Sequence, residues 1–359
     1  MIKSAREDRN NSDASLQGLL DMCRTYVGLA GPVEVTEEAA SGILDAAVRH
    51  GLVPILLSKV FPLHRLSNRQ AFAARALGAF YAEYLPMLAG AARELSADLD
   101  DAGIPHCVRK GPTLAKFYLE PSHRSFTDID FLVEREYSAQ VRALLQKRGY
   151  SQGNFNYRTG TVLPLSKEVL VQYRLNPDHL PHHSLVSKCC GIPVGVDMDF
   201  AFQVGWSGDG VFASTAELLS RAAVVSGLRG LEDVDLAADV LLHAYRELYL
   251  YGLAVRQQPT LRMLLDCFLV LRHPVLGVDI DRLVDRMPGI EYVLHALGEL
   301  LDDIFDGNVD AVSRRRASYV YKGGKKVFIQ STILQRLNAT THESYVAMLD
   351  CEVSGDDAG

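Results

Sequence analysis

An α+β fold is what this sequence predicts: a mixed sheet covered by helices, with helical regions before and after it. Three observations carry the prediction. Apolar residues recur every three or four positions through the first hundred residues, short β-branched runs alternate with helical ones from about Gly103, and the helical period returns after about residue 211. The 359 residues can bury a large core in one or two domains. The pattern divides them into an N-terminal helical region (1–102), a core (103–210), a C-terminal helical region (211–353) and a tail (354–359) expected to be disordered.

From Ser15 to about Phe61, LQGLLDMCRTYVGLA and AASGILDAAVRHGLVPILLSKV read as packing helices. A longer helix is expected from Asn68 to Ala102, kinked at Pro86 and stopped by Gly103. HCVRKG is short, partly β-branched and bounded by Gly and Pro, which predicts a strand. Pro112 suits the first turn of a helix continuing through TLAKFYLE, because the amide it lacks would be unpaired there. SFTDIDFLVE is the next strand, and REYSAQVRALLQKRGY is a helix closed by Gly149. VLVQYRL and GIPVGVDMDFAF are expected as strands on either side of a loop holding His179, His182 and His183, which reads as a flap. Helices are then expected at Thr215–Gly227, Leu231–Tyr251, Thr260–Arg272 and Ile280–Phe305. The basic run Arg314–Phe328 is expected to be a solvated surface.

Composition limits the partners. Hydrophobic residues at 48% and charged residues at 23% are ordinary globular proportions, which excludes collagen-like, coiled-coil and disordered classes. A net charge of −7 argues against nucleic acid as a partner, because nonspecific affinity for it comes from phosphates neutralised by Lys and Arg. No apolar run approaches the roughly 20 residues that cross a bilayer, and Met1 to Ser15 lack the apolar core of a secretory signal. Cytoplasmic residence with no membrane partner is the expectation. Cys23, Cys107, Cys189, Cys190, Cys267 and Cys351 are scattered and contain no CxxC pair, so they are expected to be reduced and incidental.

Chemistry concentrates on the second strand. Side chains alternate along a strand, so Asp128 and Asp130 share one face while Ile129, Phe131 and Val133 take the other. Two carboxylates about 7 Å apart at their Cα atoms suit a divalent cation such as Mg²⁺ or Mn²⁺, which prefers oxygen and completes its shell with phosphate and water. The preceding turn adds anion-binding groups. Lys110 offers an ammonium, Gly111 lets the backbone approach a ligand, Thr113 offers a hydroxyl at the start of a helix, and Arg124 offers a planar fork. Together they predict a site for a nucleoside triphosphate (NTP), ATP or another. A third acid is expected from VDMDF, where Asp197 and Asp199 repeat the alternation and spacing does not choose between them. That acid would help bind a second metal or take the proton from an incoming hydroxyl.

These residues resemble the uncharacterised-nucleotidyltransferase branch of the DNA polymerase β-like superfamily. KGPTLAKFYLEPSHRSFTDIDFLV matches its pattern at Lys110, Gly111, Arg124, Asp128, Asp130, Leu132 and Val133. LLHAYRELYLYG and LRMLLD match its helical region at His243, Arg262 and Asp266, and the likeness spans about residues 35 to 275. The broader superfamily has Gly-Ser where this chain has Lys-Gly. The family's later strand often reads Asp-x-His, which aligns Asp197 with the acid and favours it over Asp199. The resemblance also moves His243 toward a cleft, while Arg262 and Asp266, four apart on a helix, have the spacing of a pair.

The resemblance implies a polymerase β-like nucleotidyltransferase core over 103–210 and a metal-dependent, two-metal transfer of a nucleoside monophosphate with release of pyrophosphate. Its acceptor would be a hydroxyl on a small molecule, peptide or protein, expected near the boundary of the sheet and the C-terminal helices. The alternatives are a catalytically silent nucleotide-binding or regulatory module of the same fold, and kinase-like phosphotransfer through the same site.

Overall fold

A computed structural model describes residues 2–175, 178–205, 213–225, 227–251, 259–272 and 278–305. The N-terminal helices are α1 (Ile2–Tyr26), α2 (Glu37–Arg49), α3 (Val53–Ile55) and α4 (Asn68–Asp101), the last with Pro86 inside it. The helix α2 starts where the Thr36 hydroxyl accepts from the Ala39 amide, with Glu37 and Glu38 in the first turn opposite the helix dipole. Then come β1 (His106–Val108), β2 (Asp128–Val133), α5 (Ser138–Lys147), β3 (Ser151–Asn156), β4 (Thr161–Pro164), α6 (Lys167–Leu175), β5 (His183–Cys189) and β6 (Ile192–Ala201). The remainder is α7 (Thr215–Arg221), β7 (Ala223–Val225), β8 (Leu228–Gly230), α8 (Asp233–Tyr245), α9 (Leu261–Arg272), α10 (Ile280–Arg286) and α11 (Glu291–Ile304).

The chain forms two compact units. One comprises Met1–Gly78, Ala244–Phe268 and His295–Gly359. Its described residues contain helices and connecting segments but no strand, with a core that includes Leu19, Met22, Ile43, Leu264 and Phe305. The fully buried His50 accepts the Leu261 amide on Nδ1 at 3.1 Å, so its imidazole satisfies a backbone donor at the start of α9.

The other unit comprises Ala79–His243 and Leu269–Leu294 and contains the sheet. Its eight strands run in the order β4-β3-β5-β6-β2-β1-β8-β7. The pairs β2–β6 and β1–β8 are parallel and the others antiparallel, so the fold is α+β with a mixed sheet, as the sequence predicts. One face of the central strands is apolar. Ile129, Phe131 and Val133 of β2 and Val194, Val196, Met198 and Phe200 of β6 pack with Leu85, Leu88, Leu95 and Leu99 of α4 and Val141 and Leu145 of α5. Phe131 and Phe200 stack 5.0 Å apart, which clamps the two strands from behind.

Several elements differ from expectation. VLVQYRL lies in the helix α6, because Ser166 caps it: its hydroxyl accepts from the Val169 amide and its carbonyl from the Leu170 amide. Residues 151–164, for which no element is expected, carry β3 and β4, and β5 occupies the stretch expected as the histidine loop, because His183–Cys189 pairs along β6 from Met198 to Ile192. TLAKFYLE continues no α-helix. Gly111–Phe117 is a 3₁₀ segment, since Gly111 enters at φ +62° and the Thr113 hydroxyl bonds back to the Arg109 and Lys110 carbonyls. The helix expected over Thr215–Gly227 stops at Arg221, and the β-branched residues beyond it form β7, turned into β8 at Gly227 with φ +76°. Because β8 pairs with β1, the sheet continues beyond residue 210, the expected end of the core. The expected helix Leu231–Tyr251 is α8 followed by a wider π-type turn over Arg246–Tyr251. Ile280–Phe305 is broken into α10 and α11 around Pro288 and Gly289. Arg314–Phe328, Cys351 and the tail 354–359 lie outside the described residues.

Candidate active site

The parallel register of β2 and β6 sets Asp128 opposite Asp197 and Asp130 opposite Asp199. Registered residues on adjacent parallel strands project to the same side. Four carboxylates therefore leave the sheet together on the face away from the Phe131–Phe200 stack, spaced by the interstrand distance of about 4.8 Å one way and two residues of rise the other. Like charges opposite one another are unfavourable, so the arrangement requires compensation.

Each pair receives some. The Lys110 ammonium lies 3.4 Å from Asp130 Oδ2. The Ser184 hydroxyl, on β5 opposite Asp197, has Asp197 Oδ1 and the Gly153 carbonyl as the two acceptors within reach of its one hydrogen. His179 Nδ1 stands 3.4 Å from Asp199 Oδ2, a close polar contact without hydrogen-bond alignment. Burial opposes the ionisation of Asp199. The neighbouring His179, followed in size by His182 and Arg109, overcomes that penalty and holds the carboxyl well below the usual range. Asp199 Oδ1 is buried with no hydrogen-bond partner. Tyrosines border the other end. Tyr84 donates to the Gly195 carbonyl at 3.2 Å, and burial, followed by the charge of Asp197, raises the Tyr157 hydroxyl above its ordinary pKa.

The Lys110–Gly111 turn is braced from three sides. The buried Arg124 donates to the Gly111 carbonyl at 3.0 Å. The Arg109 amide donates to the Asp130 carbonyl at 2.9 Å, continuing the β1–β2 ladder to the acidic residue itself. The Arg109 side chain is buried and forms a two-pronged pair with Asp239 of α8, with Nε 3.0 Å from Oδ2 and Nη2 on Oδ1. Thr113 is buried, with its hydroxyl bonded to its own turn and its methyl where a Cβ on Gly230 would fall. The structure thus places Lys110 at the acids, Gly111 and Thr113 in the turn that carries it, and Arg124 against that turn from the loop before β2.

His243 is half-buried near the end of α8, one turn after Asp239 and so on the same side of that helix. Arg262 and Asp266 lie one turn apart on α9, Asp266 buried. Sequence reasoning missed Arg109, Asp239, Ser184 and the His179–Asp199 contact. Asp239 carries a usable signal, a carboxylate inside the apolar run LAADVLL, which is buried only when paired. His179, expected in a flap, instead forms a bridge to Ala201 at the end of β6.

The donor chemistry, carboxylate oxygens with a buried and unpartnered one on Asp199, suits a hard divalent cation, although among the described residues the aspartates do not bring three ligand atoms within 4.8 Å of one another. Among the described residues no helix is long and apolar enough to cross a membrane.

Comparison with curated proteins gives no match. Among solved structures, JHP933 from Helicobacter pylori is similar over 72% of this chain and 94% of its own, at 10% identity and a TM-score of 0.32, a likeness too distant to inform this chain. The sequence family described as uncharacterised nucleotidyltransferase matches residues 36–299, which takes in every strand of the sheet and all four aspartates. The chain belongs to that nucleotidyltransferase family.

Proposed function

We propose that the protein transfers a nucleoside monophosphate from an NTP to a hydroxyl of a small-molecule, peptide or protein acceptor and releases pyrophosphate. The observation that carries this is the β2–β6 register, which gathers Asp128, Asp130 and Asp197 on one side of the sheet beside Lys110. Asp128, Asp130 and Asp197 would hold Mg²⁺ or Mn²⁺. The bound cation supplies Lewis-acid stabilisation of charge on the phosphate oxygens. Asp197 is the preferred third acid because the family's Asp-x-His strand aligns it with the acid; the register itself sets Asp197 beside Asp128 and Asp199 beside Asp130 alike.

The remaining work falls to the chain's own residues. The Lys110 ammonium, now beside Asp130, turns to the triphosphate as a point charge. Arg124 and Thr113 keep the turn in place, and the Arg109–Asp239 pair holds it against α8. The acceptor oxygen attacks the α-phosphorus in line as the bond to the β-phosphate oxygen breaks. Its proton passes to a carboxylate of the ladder, and pyrophosphate leaves.

The test is to incubate the purified protein with each α-labelled NTP, Mg²⁺ or Mn²⁺, and an extract of its host, and to follow label and pyrophosphate. Labelled acceptor with stoichiometric pyrophosphate is expected. Nucleoside diphosphate without pyrophosphate would indicate kinase-like transfer, and nucleotide binding with neither product a silent module.

A further inference from the structure

The turn between β5 and β6 carries a second group of ligating side chains, at the end of β6 away from its aspartates. Its two central residues, Cys190 at φ +51° and Gly191 at φ +78°, give the left-handed geometry of a tight hairpin. Gly and Asn suit such positions. Cysteine does not, and Cys190 is the one non-glycine residue with positive φ among the described residues. This conformation turns Cys190 toward Glu83 on α4. The Cys190 amide donates to Glu83 Oε1 at 2.8 Å and its thiol to Glu83 Oε2 at 3.2 Å. Cys189, at the end of β5, is buried, with its sulfur 3.6 Å from the Phe80 carbonyl. The two sulfurs and a Glu83 carboxylate oxygen all lie within 4.8 Å of one another.

We propose that Glu83, Cys189 and Cys190 form a binding site for a thiophilic divalent cation such as zinc, separate from the carboxylates of β2 and β6. Two sulfurs and one carboxylate oxygen are the donors of a three-ligand zinc site whose fourth position is left to water. With Zn–S bonds of about 2.3 Å, tetrahedral sulfurs stand about 3.8 Å apart, so the group closes by at most about 1 Å. Cys190 and Glu83 are exposed, which leaves the site open to solvent, and the exposed Cys190 can rotate to close it. As the cation binds, both thiols release their protons to water and both sulfurs bond as thiolates. Soft donors select against Mg²⁺, which needs an all-oxygen shell, so the two sites take different ions. The cation would pin the β5–β6 turn to α4, and through β6 steady the strand that carries Asp197 and Asp199.

The experiment uses the full chain, reduced and stripped of metal, with Mg²⁺ in excess to occupy the carboxylates. Zinc is titrated against a chromophoric chelator, and cobalt is added to follow the thiolate charge-transfer band. One zinc per chain is expected, with affinity at least about tenfold weaker in Cys190→Ser and Glu83→Gln. The cobalt band should vanish in Cys189→Ser/Cys190→Ser and persist in Asp128→Asn. Because Cys189 is buried, the two exposed single variants keep the test sound if the double variant folds poorly. Equal zinc affinity in native and Cys190→Ser chains, or no cobalt–thiolate band, overturns the proposal.

Discussion

The two faces of β2 and β6 are built from the same two short sequences and behave in opposite ways. Behind the sheet, Ile129, Phe131, Met198 and Phe200 are almost fully buried and stack into the core under α4 and α5. In front, Asp128, Asp130, Asp197 and Asp199 stand in register, with Lys110 beside Asp130, Ser184 on Asp197 and His179 beside Asp199 among the groups that offset them. The apolar face holds the strands together while the acidic face pushes them apart. A register set by packing can thus hold an arrangement of charge that would not assemble by itself, which is what a site awaiting a cation and a triphosphate needs.

That contrast can be broken, and the largest effect lies on the acidic side. Asp128→Asn is expected to reduce nucleotide transfer to background while the melting temperature stays level or rises, because one repulsive charge is gone. Retained incorporation in that variant would remove Asp128 from the chemistry. On the apolar side, Phe200→Ala should cost about 3–5 kcal/mol of stability in urea unfolding, as expected for deleting a buried ring. An unchanged unfolding midpoint would show that the stack does not hold the register.

A sharper, smaller probe is the Lys110–Gly111 turn beside the acidic face. Gly111→Ala places a Cβ at φ +62°, where its nearest neighbours are at an ordinary 3.5 Å, so the cost is backbone strain of about 1–2 kcal/mol. It should raise KM for the NTP more than it lowers kcat, and the reverse outcome would detach the turn from triphosphate binding.

The smallest effect is a pH slope. His106 in β1 is buried between the Ser96 hydroxyl at 2.6 Å and the Ile104 carbonyl at 3.0 Å, and burial lowers its pKa. A histidine depressed in the folded state binds its proton more readily when unfolded. Its contribution is therefore fully present above the unfolded pKa of about 6.5 and is lost as pH falls from there toward the folded value. Urea midpoints should decline between pH 7 and 5.5, and less steeply in His106→Asn. Parallel declines would assign the slope to other groups, among them His123 and His183, which burial also depresses.

Some of this was legible in the sequence for a local reason. Alternation in TDIDFLV and VDMDF assigns acids and apolar residues to opposite faces whatever the strands pair with, since strand geometry alone imposes it. Helix periodicity in α1, α2 and α4 is equally local, as is the Gly111 turn. VLVQYRL was illegible because a short apolar run suits helix or strand, and the Ser166 cap decided it.

What the sequence by itself determined is thus the α+β character, the two acidic strands and the Lys110–Gly111 turn, because each follows from spacing within a few residues. Only the tertiary structure decided that Asp128 faces Asp197 and Asp130 faces Asp199, that Arg109 is neutralised by Asp239 130 residues away, and that Cys189 and Cys190 meet Glu83. Those are pairings between distant segments. They are set by the packing of whole faces, and no local period encodes them.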